Sequence, residues 1–265
     1  MGPRLGVLGW PVRHSRSPAI QNAALAAVGL AEWRYQLLPV PPILFSETVR
    51  ALPGAGFRGA NVTIPHKEAA LALADDATAS ARAIGAANTL TFDRDGAIHA
   101  DNTDAPGLIA TLPFDAAGRS ALVLGAGGSA RAAVWALLEA GTREVRVWNR
   151  SPERARALCA ELGGIPVLDA EPADLLVNCT SSGLDTSRPM FNSLPLGADD
   201  VTKYKCVVDL VYTKWDTPLV SAARANAIPT VDGLEMLIAQ GALSFERFTG
   251  EPAPTELMRA AVRRG

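Results

Sequence analysis

Four short polar clusters carry most of the side chains able to do chemistry in this chain. They are Ser15-Arg16-Ser17-Pro18, Asn61-Val62-Thr63-Ile64-Pro65-His66-Lys67, Gly85-Ala86-Ala87-Asn88-Thr89 and Asp101-Asn102-Thr103-Asp104. Together they offer hydroxyls, amides, an ammonium and carboxylates, which suit a ligand rich in hydroxyl groups. Each cluster also has a purely structural reading. Ser17 and Thr63 would be N-caps ahead of proline-started helices, Asp104 would cap a helix at Ala105, and Asn88 would be a turn residue. Lys67 would be a solvated helix-start lysine. It stands out nonetheless, because only four of the 25 basic residues are lysines: Lys67, Lys203, Lys205 and Lys214. His14, His66 and His99 have neither triad-like partners nor metal-ligand spacing, so they read as bystanders near a cleft. No metal site is expected.

A fifth cluster has different chemistry. Gly125-Ala126-Gly127-Gly128-Ser129-Ala130 joins an apolar run to a helical pattern. Glycines at such a turn allow positive φ and let the backbone approach a pyrophosphate, whose charge sits at the helix N-terminus. The spacing G-x-G-G-x-A is a variant of the dinucleotide fingerprint. The alternative is a glycine turn that merely lets helix and strand pack. The next apolar run ends in Trp148-Asn149-Arg150-Ser151, with Arg154 one turn later and no carboxylate at the run's end. NAD-preferring sites place an acidic residue there for the ribose 2′-hydroxyl. Two guanidiniums and a hydroxyl instead fit a 2′-phosphate, which points to NADP.

The elements that must hold these clusters follow from periodicity. Strands are expected at Leu5–Gly9, Arg34–Leu38 and Gly59–Thr63. A hairpin, Thr89–Asp93 with Ala97–Asp101, turns at Arg94-Asp95-Gly96. Helices are expected at 18–28 with Ser17 as N-cap, at 43–52, at 65–74 and from near Ala105. A second series begins at Ala121 and alternates strands (121–124, 144–148, 175–179, 206–211) with helices (128–140, 152–162). Its βαβαβ rhythm implies a parallel sheet covered by helices. Residues 183–201 read as a surface loop, and the chain closes with helices at 234–248 and 255–263.

At about 150 residues per domain, 265 residues make two domains the prior. The composition, 48% hydrophobic and 20% charged with mean hydropathy +0.13, provides for a core and excludes disorder. A formal charge of −2 leaves no polycation for nucleic acid or anionic lipid. Three scattered cysteines without a CxxC pair suit a reducing cytoplasm. No run of 18 apolar residues occurs.

Taken in order, the clusters resemble the motifs of the shikimate dehydrogenase family. The likeness continues through Asn178-x-Thr180, Asp209-Leu210-Val211-Tyr212 and Gly233-Leu234-Glu235-Met236-Leu237-Ile238-x-Gln240, nearly the whole chain. It implies an α/β fold of two domains. Residues 1–103 plus 236–265 would bind substrate, and 104–235 would form a Rossmann-like NADP domain with a parallel sheet. The implied reaction is reversible NADPH-dependent reduction of 3-dehydroshikimate to shikimate. By the same resemblance Lys67 and Asp104 are the catalytic pair. Ser15, Ser17, Asn61, Thr63, Asn88, Gln240 and Tyr212 are substrate ligands. Asn149, Thr180, Gly233 and Met236 join the glycine loop and its arginines around the cofactor, although Met236 also fits a core role. A monomer or homodimer is expected.

Where the family continues past the tyrosine with a proline, this chain has Thr213-Lys214-Trp215. Three rivals are weighed. A quinate/shikimate dehydrogenase using NAD would carry an acidic residue in place of Asn149-Arg150, or a threonine at position 17. A catalytically silent NADP-binding regulator would lack Lys67 and Asp104. A methylenetetrahydrofolate dehydrogenase would share the two-domain plan but not the Ser-x-Ser and Asn-Thr-Asp motifs.

Overall fold

The structure, a computed structural model, describes residues 2–263. The chain separates into two compact units. One comprises everything up to Thr103 together with everything from Ile238 on, and the other is Asp104–Leu237. The second division falls two residues beyond the expected one, within a continuous helix whose turns give a sequence reading nothing to mark.

The first unit is built on strands β1 (Arg4–Gly9), β2 (Arg34–Pro39), β3 (Phe57–Val62), β4 (Asp76–Ala77), β5 (Thr89–Phe92) and β6 (Ile98–Asp101). Helices α1 (Ser17–Ala27), α2 (Phe45–Ala51), α3 (Lys67–Leu73) and α4 (Ala79–Ile84) connect them. The sheet order is β2-β1-β3-β5-β6-β4. β5 alone runs antiparallel to its neighbours, a consequence of the β5–β6 hairpin. This direction matters for the site. The start of β5 lies at the same sheet edge as the ends of β3 and β6, with Thr89 opposite both Asn61 and Asp101. Phe45, Val49, Leu8, Leu90 and Ile98 form part of its core.

Ser17 does not cap α1. It is the first helical residue after the cap position Arg16, whose side chain makes no cap bond, and its own N–H donates to Ser15 Oγ at 3.3 Å. The proline at the next position already removes one of the N–H groups a cap would satisfy. The expected helix at 43–52 is a single 3-10 turn, Pro42–Leu44, followed by α2. The helix expected from Pro65 begins at Lys67, with His66 at the cap position.

The second unit contains α5 (Asp104–Thr111), β7 (Ser120–Leu124), α6 (Gly128–Glu139), β8 (Glu144–Trp148), α7 (Pro152–Leu162), β9 (Ile165–Val167) and β10 (Ala173–Asn178). It continues with β11 (Tyr204–Asp209), α8 (Pro218–Ala225) and β12 (Thr230–Val231). Every strand pair is parallel, in the order β12-β11-β10-β7-β8-β9. Counted from its own first strand, this is the 3-2-1-4-5-6 order of Rossmann sheets, with the switch point between β7 and β10. β7 is buried on both faces, as a central parallel strand must be, hence its continuous run Ala121-Leu-Val-Leu124.

Helices α9 (Gly233–Thr249) and α10 (Thr255–Arg263) end the chain. From Ile238 on they belong to the first unit, where Phe245, Met258 and Val262 are fully buried. A Cβ at Gly59 of β3 would stand 2.5 Å from the Phe248 ring, so glycine there lets α9 lie against the sheet. No helix among the described residues is long and apolar enough to cross a membrane.

Candidate functional site

In the first unit the polar clusters meet at one sheet edge, for the reason strand direction supplies. β1, β3 and β6 end there and β5 begins there. Asn88 is the knot. Its Oδ1 accepts from the Thr103 backbone N–H at 2.8 Å and from Thr89 Oγ1 at 3.0 Å. Its Nδ2 donates to Thr103 Oγ1 at 2.9 Å and to Gln240 Oε1 at 3.2 Å. Asn61 joins through Nδ2 to Thr89 Oγ1 at 3.2 Å, while Tyr35 donates to its Oδ1 at 2.7 Å. Asn61, Asn88, Thr89 and Thr103 are all buried, where an amide without partners would cost free energy. These bonds hold each amide in one orientation.

Ser15 and Ser17 pair with each other, Oγ to Oγ at 3.2 Å. Thr63 lies just past the end of β3, half-buried. Lys67 opens α3 and is only 9% exposed, not solvated. Its carbonyl accepts from the Ala87 N–H at 2.8 Å, which joins the start of α3 to the residue before Asn88. His66 beside it is no bystander in the packing. Its Nε2 lies 2.7 Å from the Val40 carbonyl, and its ring stacks on Phe45. Burial lowers its pKa, which keeps the ring neutral and fit for that role. Asp104 is the first residue of α5, buried, and assigned to the second unit.

In the second unit the predicted cofactor residues also lie at strand ends. Gly125 through Gly128 follow β7, Asn149 through Arg154 follow β8, Thr180 follows β10 and Gly233 follows β12, while Tyr212, expected as a substrate ligand, follows β11. Gly125 has φ +114°, a conformation that excludes a side chain, and a Cβ there would press on the Cys179 backbone at 3.2 Å. Gly127 stands before α6 with open space where a Cβ would be, and no side chain caps the helix. An uncapped helix N-terminus beside such a space is a fitting cradle for a pyrophosphate.

Arg150 and Arg154 are exposed, and neither has a carboxylate partner among the described residues. Thr180 is fixed by its own N–H and hydroxyl bonding to Asn178 Oδ1, at 3.1 and 2.7 Å. Tyr212 and Gly233 line a cavity of about 410 Å³, whose rim includes Lys214 and Trp215. Lys214 stands over the Trp215 ring at 5.3 Å, so the Thr213-Lys214-Trp215 departure forms an aromatic, cationic rim. Met236 is buried in the apolar core with Val208 and Val231, the core role of its two readings.

Comparison with known proteins agrees along the chain. Residues 7–90 match the shikimate dehydrogenase substrate binding domain, 109–183 the shikimate / quinate 5-dehydrogenase model, and 233–263 the shikimate 5'-dehydrogenase C-terminal domain. The shikimate dehydrogenase (NADP(+)) of Methylobacterium radiotolerans is 48% identical over 95% of this chain and 93% of its own length. The chain belongs to the shikimate dehydrogenase family. The crystal structure of the Thermus thermophilus enzyme of this family, in complex with NADP(H) and shikimate, superposes with a TM-score of 0.87 at 41% identity and covers 99% of each chain. The Aquifex aeolicus shikimate dehydrogenase gives 0.87 at 32% identity, over 99% of this chain and 98% of that one.

One buried group of this family member lies outside the expected site residues. Asp209, at the end of β11, has no exposed surface. Its carboxylate accepts from Asn178 Nδ2 at 2.8 Å, Thr217 Oγ1 at 2.6 Å and the Val211 N–H at 3.0 Å. Burial pushes its pKa up to about 6, against the opposing pull of these donors. Through Asn178 it supports Thr180, and through Val211 it shapes the loop to Tyr212. The Asp209-Leu-Val-Tyr212 motif held this signal, but only the fold shows the aspartate turned inward. Tyr35 had no motif to mark it. Among the described residues no group of three or more His, Cys, Asp or Glu could hold a metal ion.

Proposed function

We propose that the protein catalyses the reversible NADPH-dependent reduction of 3-dehydroshikimate to shikimate, an oxidoreductase step of aromatic amino-acid biosynthesis. One observation carries the proposal. A chain 41% identical to an enzyme crystallised with NADP(H) and shikimate keeps a buried lysine beside a hydroxyl-and-amide cluster, and an acid-free glycine loop flanked by arginines. Hydroxyls and amides alternate as donors and acceptors, which suits the hydroxyls of the substrate ring. NADPH, when bound, supplies the hydride.

The protein's own groups do the rest. Ser15 and Ser17 donate to the substrate carboxylate, and Thr63, Asn61, Asn88 and Gln240 hold its hydroxyls. In the reducing direction negative charge develops on the ketone oxygen, where the Lys67 ammonium stabilises it and delivers the proton. Arginine is too weak an acid for that transfer near neutral pH, which accounts for a lysine in an arginine-rich chain. Asp104 holds the lysine in register. Arg150 and Arg154 take the 2′-phosphate, the glycine loop with Ser129 and Ala130 takes the pyrophosphate, and Asn149, Ser151, Thr180 and Gly233 complete the cofactor site.

The test is spectrophotometric: NADPH should form when shikimate is added to the protein with NADP. A higher kcat/KM for quinate with NAD overturns the substrate and cofactor assignment. Lys67→Ala should lower kcat by roughly 10²–10⁴-fold with little change in KM for dehydroshikimate, the span expected for loss of a general acid. Near-normal turnover would remove Lys67 from its role.

A further inference from the structure

The cavity at the ends of β11 and β12 lies wholly within the second unit, and its lining includes Tyr212, Lys214, Trp215, Asp216, Asp232 and Gly233. Its place along the sheet decides which part of a dinucleotide reaches it. The strand order is β12-β11-β10-β7-β8-β9. With the pyrophosphate on the glycine loop after β7 and the 2′-phosphate beside Arg150 after β8, the adenosine half occupies the β8 side. The nicotinamide half then extends the other way, across the switch point toward β10, β11 and β12.

The charges of this lining balance only through one residue. Asp216 and Asp232 share a single guanidinium. Arg224 Nη1 donates to both Asp216 oxygens, at 2.6 and 2.5 Å, and its Nη2 donates to Asp232 Oδ2 at 3.2 Å. Two carboxylates against one guanidinium leave one negative charge, and Lys214 on the same lining brings the sum to zero. Its ammonium stands 5.3 Å from the centre of the Trp215 ring, a cation–π contact that keeps it at the rim. The loop that carries the pair is held at several points. The Trp215 N–H donates to Thr213 Oγ1 at 3.2 Å, and the Thr213 hydroxyl donates back to the Trp215 carbonyl. A Cβ at Gly233 would stand 2.6 Å from the Val211 carbonyl, so the start of the loop lies tight against the start of α9.

Oxidation changes the charge of the dinucleotide at one place. The nicotinamide ring of oxidised NADP is a cation, whereas the dihydronicotinamide of NADPH is neutral. A charge at this rim therefore acts on the difference between the two forms and leaves their shared part alone. We infer that Lys214 is a specificity-determining residue for the redox state of the cofactor: by cancelling the carboxylate that Arg224 leaves unbalanced, it weakens the hold of this cavity on oxidised NADP relative to NADPH. The inference rests on the proposed NADPH-dependent reaction. In the reducing direction oxidised NADP is the product, so the lysine favours its release. The residue stands where the family has a proline, which makes the effect a property of this chain.

The test is binding, not turnover. Dissociation constants for oxidised NADP, NADPH and 2′,5′-ADP, which lacks the nicotinamide, are measured by calorimetry on wild type, Lys214→Met and Lys214→Arg. In the Met variant oxidised NADP should bind about three- to tenfold tighter relative to NADPH, the size expected for one unit charge lost near the ring. The Arg variant keeps the charge and should keep the wild-type ratio. 2′,5′-ADP should bind all three proteins alike. An unchanged ratio in Met overturns the inference. So does an Arg variant that shifts as Met does, since shape would then matter, or a parallel change in all three ligands, the signature of a merely structural lysine. Wild-type protein that binds neither dinucleotide would defeat the proposed function. Wild type that binds both, with a ratio that Met leaves untouched, would defeat this inference alone.

Discussion

Asp209 shows how one residue can support a site without touching a ligand. An ordinary aspartate ionises near 3.8, whereas burial raises this one to about 6. Between those values the folded chain holds a proton that the unfolded chain has released. Stability from this group is therefore greatest at the acid end and is lost as pH rises through the interval, levelling off above about pH 6. Asparagine keeps most of the same bonds without a charge. The melting temperature of wild type relative to Asp209→Asn should accordingly fall between about pH 4 and pH 6 and then stay flat. A difference that is constant with pH would mean that the carboxylate is not titrating in this interval. The inward turn of Asp209 has no sequence signature, because burial of a strand-end side chain depends on what α8 and β10 bring to it. Lys67 stood out in the sequence because the chain otherwise prefers arginine, and the role expected of it came from the family resemblance.

At the scale of elements, direction of travel decides what becomes a site. Four strand ends of the second sheet carry the residues proposed for the cofactor, and a fifth, that of β11, carries Tyr212; the ends of β7 and β8 were legible because a parallel sheet places every strand end on one edge, whereas Thr180 and Gly233 came from the family resemblance and β12 had not been expected. The bonds that tie Asn61, Asn88 and Gln240 together were not legible. They depend on β5 running against its neighbours and on α9 returning from far along the chain. Some misses had signals in view. Thr217-Pro218 is a cap followed by a proline, and it opens α8 with Thr217 accepting from the Val220 N–H. α4 and the two-residue β4 are too short for periodicity to register. The two readings of the glycine loop can now be separated by one substitution. Gly127 has φ −100° and nothing within 4 Å of a Cβ, so alanine meets no backbone strain or clash there. If the loop only lets helix and strand pack, Gly127→Ala is silent. If the open space is the pyrophosphate cradle, KM for NADP should rise roughly tenfold while the melting temperature and KM for shikimate hold.

At the scale of the whole molecule, the first unit is discontinuous, and its last pieces arrive at the end of the chain. α10 is amphipathic, with Met258 and Val262 fully buried and its polar face outward. It packs on α1, and Arg16 Nη1 donates to the Val262 carbonyl at 3.0 Å. α1 begins at Ser17, one of the hydroxyls proposed for substrate, so the chain's last helix braces one of its first site residues. Uncovering two buried apolar side chains and the surface they protect costs several kcal/mol, at about 1.5–3 kcal/mol for each. α10 lies wholly in the first unit, outside Asp104–Leu237. A chain ended after Pro252 should therefore lose stability in one unit only. Its melting curve should split, with an early transition for the first unit and a later one that NADP still raises through binding to the second. KM for shikimate should climb while NADP affinity holds. A single transition lowered as a whole, with both affinities lost together, would mean that the two units fold as one cooperative block and that the division at Thr103 and Leu237 has no energetic counterpart.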